Sequence, residues 1–500
     1  MERMWKRIGC WRVDRRKLSI AMLILFFLSL IPLIVIAVYN YPADDDFQYV
    51  LPLSTAWLQT GSLWQVLKAL VARTWETYQT WQGDFVSTAL FGVTPMVFGI
   101  QWYFIDNWMM LALVCLSVGY LVKTAVCHCI GADKHTFWIV YSAAMVLVLQ
   151  FMPSISYSIY WHNGGQYTTA ACMLLLAVGV LLRCSLKPTV WRVVCAGLLG
   201  FCLGGSFFGP ALGALVLAAL WCLTAFIGKG KSRTASAVML GLLMCSFLLS
   251  VLAPGNALRQ ERTGESVGAV MTVITAVLDS FDLTGKWLTP QLLAMLMLIV
   301  PVLWKPLKES RYAFRAPLWI FVMLYGLFSA SLAPGVYTGY GWNTARYENA
   351  IYFYFLVMAL GTAIYCEGAF IRWLERHEQQ KPYASQLLAA AKELGVRFSA
   401  VYLALVIALT VFGGFAYTIM NTSSVSALKS LATGEAKQFR AEMAEREEYI
   451  RVTDSDVVDV KPLSVQPYVF KNDRLPWQGI YGRVRYMKWY FELFYEAKQE

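Results

Sequence analysis

Three consecutive aspartates, Asp44, Asp45 and Asp46, are the residues of this chain best suited to do chemistry. They sit in Pro42-Ala43-Asp44-Asp45-Asp46-Phe47-Gln48-Tyr49, with no Lys or Arg nearby to offset them. Adjacent carboxylates repel, so the triplet is costly unless it takes up a proton or holds a cation. Asp45 and Asp46 are therefore candidate catalytic bases, and Asp44, Asp45 and Asp46 together are candidate ligands for a divalent cation. A second reading stays open: a solvated turn followed by a helix cap, since Asp caps helices well and Pro42 precedes it.

Other polar residues join the triplet. Trp161-His162-Asn163-Gly164-Gly165 offers an imidazole on a flexible backbone, or else an interfacial turn with a boundary Trp. Ala253-Pro254-Gly255-Asn256 leads to Arg259, and Ala333-Pro334-Gly335 leads to Arg346. Pro-Gly ends a helix. The arginines need a separate account, and a guanidinium suits phosphate through paired hydrogen bonds. An internal ion pair, such as Arg346 with Glu348 or with the Asp cluster, is the alternative. Arg259, Arg346, His162, Asn256 and Asp44 form the candidate substrate- and phosphate-binding set. Proton removal by a carboxylate, phosphate held by Arg, and sugar faces stacked on Trp and Tyr are what glycosyl transfer from a lipid phosphate requires. Cys127-His128-Cys129 lacks a second ligand pair nearby and reads as structural.

The elements that must position these residues are membrane spans. Hydrophobic residues make up 58% of the 500, and charged residues 15%, too few for a soluble surface. Apolar runs of span length follow one another from Leu18 to Thr418. The expected fold is all-α, with about 11 transmembrane helices. A basic cytoplasmic N-terminus (1–17) precedes a polytopic domain (18–418) whose first extracytoplasmic loop (40–102) lies on the membrane surface. A small extracytoplasmic domain (419–500) follows. Segment 84–101 is read as not crossing, since it carries Gly92, Thr94, Pro95 and Gly99. On that reading the inside segments hold 24 Lys and Arg and the outside loops 6, a strong positive-inside signal. The same loops absorb the net charge of +11, so nucleic acid is not an expected partner.

An acidic loop directly after the first span, surface helices, about eleven spans and an outside C-terminal region resemble the GT-C class of integral-membrane glycosyltransferases. The pattern is similar to a bacterial family of polytopic membrane proteins with Ala-Asp-Asp-Phe-x-Tyr after span one, Trp-x-x-Gly before a middle span and Pro-Gly-Asn-x-x-Arg after a later one. Here these are Asp45-Asp46-Phe47-Gln48-Tyr49, Trp161 to Gly164, and Pro254 to Arg259. The resemblance implies transfer of a sugar from a polyprenyl-phosphate donor to a glycan or glycolipid acceptor of the cell envelope, at the extracytoplasmic face of the cell membrane. It aligns Asp45 and Asp46 with the family pair. Where the family often shows Gly-Arg at the end of the first loop, this chain has Gly83-Asp84. A transporter, flippase or polymerase of lipid-linked saccharides is the competing expectation.

Overall fold

The computed structural model describes residues 12–43, 45–263, 267–339, 341–377, 386–387, 397–413, 419–453, 461–471 and 481–497. The chain is an all-α membrane protein. Among the described residues, eight helices are long and apolar enough to cross a bilayer: Arg15–Tyr39, Ile100–Cys129, His162–Leu186, Phe208–Ile227, Arg233–Val251, Pro290–Glu309, Pro317–Tyr337 and Ala345–His377. Val190–Gly204 and Ala400–Phe412 are apolar but shorter. Lys134–Met145 continues as a wider helical turn to Gln150. Leu-, Ile- and Phe-rich runs form these helices because a chain in lipid must satisfy every backbone polar group internally.

Cross-links between the helix ends sort them into two sets. At one end Asn40 donates to the Asn107 side-chain oxygen (3.0 Å) and to the Tyr160 carbonyl (2.6 Å). At the other, Arg15 pairs with Asp133 at 2.6 Å, and Arg372 donates to the Lys308 carbonyl at 3.0 Å. A short antiparallel pair, Arg12–Asp14 with Arg397–Ser399, also lies at this second end. The sequence carries no sign of that pair, because two three-residue strands far apart leave no periodic signal.

Segment 84–101 does not form one continuous helix. It breaks into Phe85–Phe91, Pro95–Phe98 and Ile100–Trp102, with Thr94 capping the Pro95 turn and Gly99 at φ +129°, a conformation costly for any residue with a Cβ. Helix Leu63–Thr80 carries Trp64, Leu67, Val71 and Trp75 on one exposed stripe, suited to lie in a membrane surface.

The C-terminal part forms Ser423–Ala432, Glu435–Val452 and Tyr481–Glu496. These helices pack closely on the first loop. Phe47 meets Tyr490 and Phe491 edge-on at 5.4 Å each, the Tyr490 hydroxyl donates to the Met96 carbonyl (2.8 Å), and Arg440 donates to the Asn40 carbonyl (2.8 Å). First loop and tail therefore share one end of the bundle.

Candidate functional site

The acidic turn divides its labour. Asp44 lies outside the described residues. Asp46 opens helix Asp46–Thr60 and is 1% exposed. Its Oδ2 accepts from the Ala43 N–H (3.1 Å) and the Tyr103 hydroxyl (2.8 Å), and its Oδ1 from the Asn163 N–H (3.2 Å). Burial pushes its carboxyl up to about 7, although the nearby His162 and these donors pull the other way. Asp46 is thus neither solvated nor a helix cap: its carboxylate ties the turn at Ala43 to Tyr103 and to the start of helix His162–Leu186. Asp45 occupies the cap position but makes no capping bond, and it is only half-buried.

His162 is 4% exposed and held on both ring nitrogens. Nδ1 lies 3.1 Å from Asp106 Oδ1, and Nε2 donates to the Leu90 carbonyl at 3.1 Å. Asp106 also accepts from the Thr94 hydroxyl (2.6 Å), so the pair pins the broken segment to helix His162–Leu186. Trp161 is buried as well, donating from Nε1 to the Ala43 carbonyl at 3.2 Å. It is an internal residue and not a boundary one.

Asn256 is a clamp. Its Oδ1 accepts from the Gly83 N–H (2.9 Å), and its Nδ2 donates to the carbonyls of Ser250 (2.7 Å) and Val251 (3.0 Å). The approach is so close that a Cβ on Gly255 would lie 2.5 Å from the Trp81 nitrogen, and one on Gly83 would overlap the Ser250 carbonyl. The Pro-Gly-Asn motif therefore presses the end of the first loop against helix Arg233–Val251 and presents Asp84. Asn256→Ala should cost about 2–3 kcal/mol from the lost bonds and the stranded Gly83 donor. Thermal unfolding in detergent checks this, and an unchanged midpoint would refute the clamp.

Asp84 is the residue the sequence noticed only as a departure. It is 3% exposed, and its Oδ1 has no hydrogen-bond partner among the described residues. Burial raises its carboxyl to about 7, against the pull of its own backbone N–H, Arg259 and Arg346. Both side-chain polar atoms of Asn163 and the hydroxyls of Ser87 and Thr88 are likewise buried without such partners. Groups of this kind in a folded protein usually await a ligand or water. A carboxyl raised on folding favours the folded state least when ionised. Stability tied to Asp84 therefore falls as pH rises from about 4 to 7 and stays low above that. Asp84→Asn should raise the unfolding midpoint at pH 8 more than at pH 5, by the equivalent of about 2–3 kcal/mol. Equal effects at both pH values would remove the assignment.

Cations and rings complete the site. Arg346 is half-buried, with its guanidinium 5.4 Å from the Trp161 ring centre and 5.6 Å from that of Tyr167. No described residue accepts a hydrogen bond from it. Glu348, the ion-pair partner considered from sequence, is taken by Lys286. Arg259 donates to Gln82 Oε1 (2.9 Å) and lies over Trp81 at 5.0 Å. Arg73 lies over Tyr49 at 5.3 Å, and Lys471 over Trp161 at 4.0 Å. Asp45, Asp46, Arg259 and Arg346 lie at this end of the bundle, while His162 and Asn256 are turned to internal bonds. The structure adds Asp84, seen in the sequence only as the Gly83-Asp84 departure, Asn163, seen only as part of the Trp161–Gly165 motif, and Arg73 and Lys471, which carried no sequence signal. Among the described residues no three His, Cys, Asp or Glu side chains are arranged to hold a metal. Compared with known proteins, the chain matches no family model, no curated protein and no solved structure.

Proposed function

We propose that this protein is a membrane glycosyltransferase that moves a sugar from a polyprenyl-phosphate-linked donor to a hydroxyl of a cell-envelope glycan or glycolipid. The observation that carries the reading is Arg346, whose guanidinium lies over the rings of Trp161 and Tyr167 with its donors unspent on any described residue. A ring-stacked, unpaired guanidinium is ready for a phosphate oxygen pair. Arg259 adds a second positive charge acting on the same carboxylate, Asp84.

In this reading the acceptor oxygen attacks the anomeric carbon, and the bond from that carbon to the phosphate oxygen breaks. The electron pair leaves with the lipid phosphate, which Arg346 and Arg259 stabilise. The acceptor proton goes to Asp45, and Asp46 holds the turn that aims it. Asp84, Asn163, Ser87 and Thr88 take the sugar hydroxyls.

The topology that goes with this has eleven crossings: the eight long helices plus Lys134–Met145 with its extension, Val190–Gly204 and Ala400–Phe412. The N-terminus and the basic loops are cytoplasmic, and the site and C-terminus extracytoplasmic. A reporter fused after Asn421 is expected to mark the extracytoplasmic side, and a cytoplasmic signal would sink this orientation.

A transporter of lipid-linked saccharides is favoured by one observation. Glu367 lies within helix Ala345–His377, 7% exposed, with neither carboxylate oxygen hydrogen-bonded to a described residue, and ionisable groups inside spans often serve transport. Purified protein given a polyprenyl-phosphate sugar and a glycan acceptor separates the two. Release of free lipid phosphate with sugar on the acceptor supports transfer. Movement of intact donor across vesicles without cleavage supports transport.

A further inference from the structure

At the end of the bundle opposite the candidate site, the first span and helix Lys134–Met145 start side by side and flank an open cavity of about 490 Å3. Its polar side is formed by Arg16, Lys134 and His135, and its apolar side by Ile20, Leu23 and Trp138. Among the described residues no carboxylate lines it. The two nearest acids are already engaged: Asp133 pairs with Arg15 at 2.6 Å and caps the Thr136 N–H at 2.9 Å, while Asp14 caps the Lys17 N–H at 2.8 Å. Arg16 and Lys134 make no ion pair within 4 Å with any described residue, and although the fields of Asp14 and Asp133 reach Arg16 and His135 the cleft keeps a net positive charge.

The ring of His135 is fixed in this wall. Ser19 donates its single hydroxyl proton to the Arg16 carbonyl (2.7 Å), so its contact with His135 Nδ1 (2.9 Å) is one in which the imidazole donates. The volume falls in the range of sites for small ligands, about 300–1,000 Å3.

We propose that this cavity binds the headgroup of an anionic phospholipid, with its phosphate on Arg16 and Lys134. The apolar wall commits the ligand to a lipid instead of free phosphate. Ile20 is 46% exposed, and it begins a face that continues through Ile24, Leu25, Phe27, Leu28 and Ile31, all exposed and apolar. An acyl chain leaving the cavity along Ile20 and Leu23 would lie directly on that face. Basic clefts at the ends of membrane spans recognise anionic headgroups by this combination of charge and adjoining hydrocarbon. The inference is independent of the glycosyltransferase reading, since it uses none of its residues.

The test titrates the full-length protein in neutral detergent with phosphatidylglycerol, with phosphatidylcholine of the same acyl chains, and with inorganic phosphate. Native mass spectrometry reads the lipid bound, and thermal unfolding reads stabilisation. Phosphatidylglycerol is expected to bind selectively at one site, and inorganic phosphate at equal concentration to give no stabilisation. Arg16→Gln with Lys134→Gln should weaken phosphatidylglycerol binding roughly thirtyfold, about fivefold for each cation, and leave phosphatidylcholine binding unchanged. Both side chains are exposed, so the lipid-free unfolding midpoint should stay at the wild-type value. Should the double variant fail to fold, each single variant carries the same test at about fivefold. Equal binding of the two lipids, or undiminished phosphatidylglycerol binding by the variants, would overturn the proposal. Stabilisation by phosphate alone equal to that by the lipid would overturn the lipid assignment.

Discussion

Replacing Arg346 with Ala is expected to lower transfer from a lipid-phosphate donor by about 10²–10³-fold, equivalent to roughly 2.7–4 kcal/mol of transition-state stabilisation. The fold should survive. The Arg346 guanidinium is not part of any hydrogen-bonded network among the described residues, and Lys286 neutralises Glu348 without it. Its loss strands no buried carboxylate except through the longer-range field on Asp84. Arg346→Lys discriminates further. Lysine keeps the charge but loses the planar fork and most of the stacking over Trp161 and Tyr167. It should therefore recover only a small part of the rate. Full activity of Arg346→Lys would mean that charge alone matters and that paired recognition of phosphate is the wrong account. Wild-type activity of Arg346→Ala would remove phosphate from this position altogether. Arg259→Ala should have a smaller effect, because Arg259 already spends a donor on Gln82.

How much of this was legible beforehand depended on the physics of each feature. The membrane helices were plain, because lipid demands long apolar runs and the sequence displays them one residue after another. The failure of 84–101 to form one helix was also readable, since Thr94, Pro95 and Gly99 act locally. The candidate site was readable only as a list of types. Asp45 and Asp46 look alike in sequence, yet three donors from Ala43, Tyr103 and Asn163 enclose one and not the other. Asp84 gave no sign of burial, because burial follows from Gly83 pressing against Ser250 and from the clamp by Asn256, 173 residues away. Arg346 seemed to have a partner two positions on, and the fold gave that partner to a lysine 62 residues away. Glu367 was hidden at the edge of an apolar run. For Asp46, Asp84 and Arg346 a decisive neighbour came from another part of the chain, where no local pattern could announce it.

Three carboxylates at the site should respond differently to the same change from Asp to Asn. Asp45→Asn should lower turnover on the order of 10²–10⁴-fold, the usual worth of a general base, with the unfolding midpoint unchanged. Asp45 makes no capping bond to helix Asp46–Thr60, so the start of that helix does not depend on its carboxylate. Asp46→Asn should behave as a structural lesion. An amide in place of that carboxylate turns a donor toward one of three groups that already donate, at a cost of about 1–3 kcal/mol. Activity and thermal stability should fall together, because the turn that aims Asp45 loosens. Asp84→Asn should leave the fold intact or steadier at pH 8, and it should weaken substrate binding more than the chemical step if its unspent oxygen receives a sugar hydroxyl. The three variants therefore separate by paired measurement of kcat, KM and unfolding midpoint on one preparation of lipid-linked sugar. Near-normal kcat in Asp45→Asn would end its role as the base. If Asp84→Asn then proved inactive at full stability, the acceptor proton would belong to Asp84, whose carboxyl, held near 7, would take it between the fields of Arg259 and Arg346.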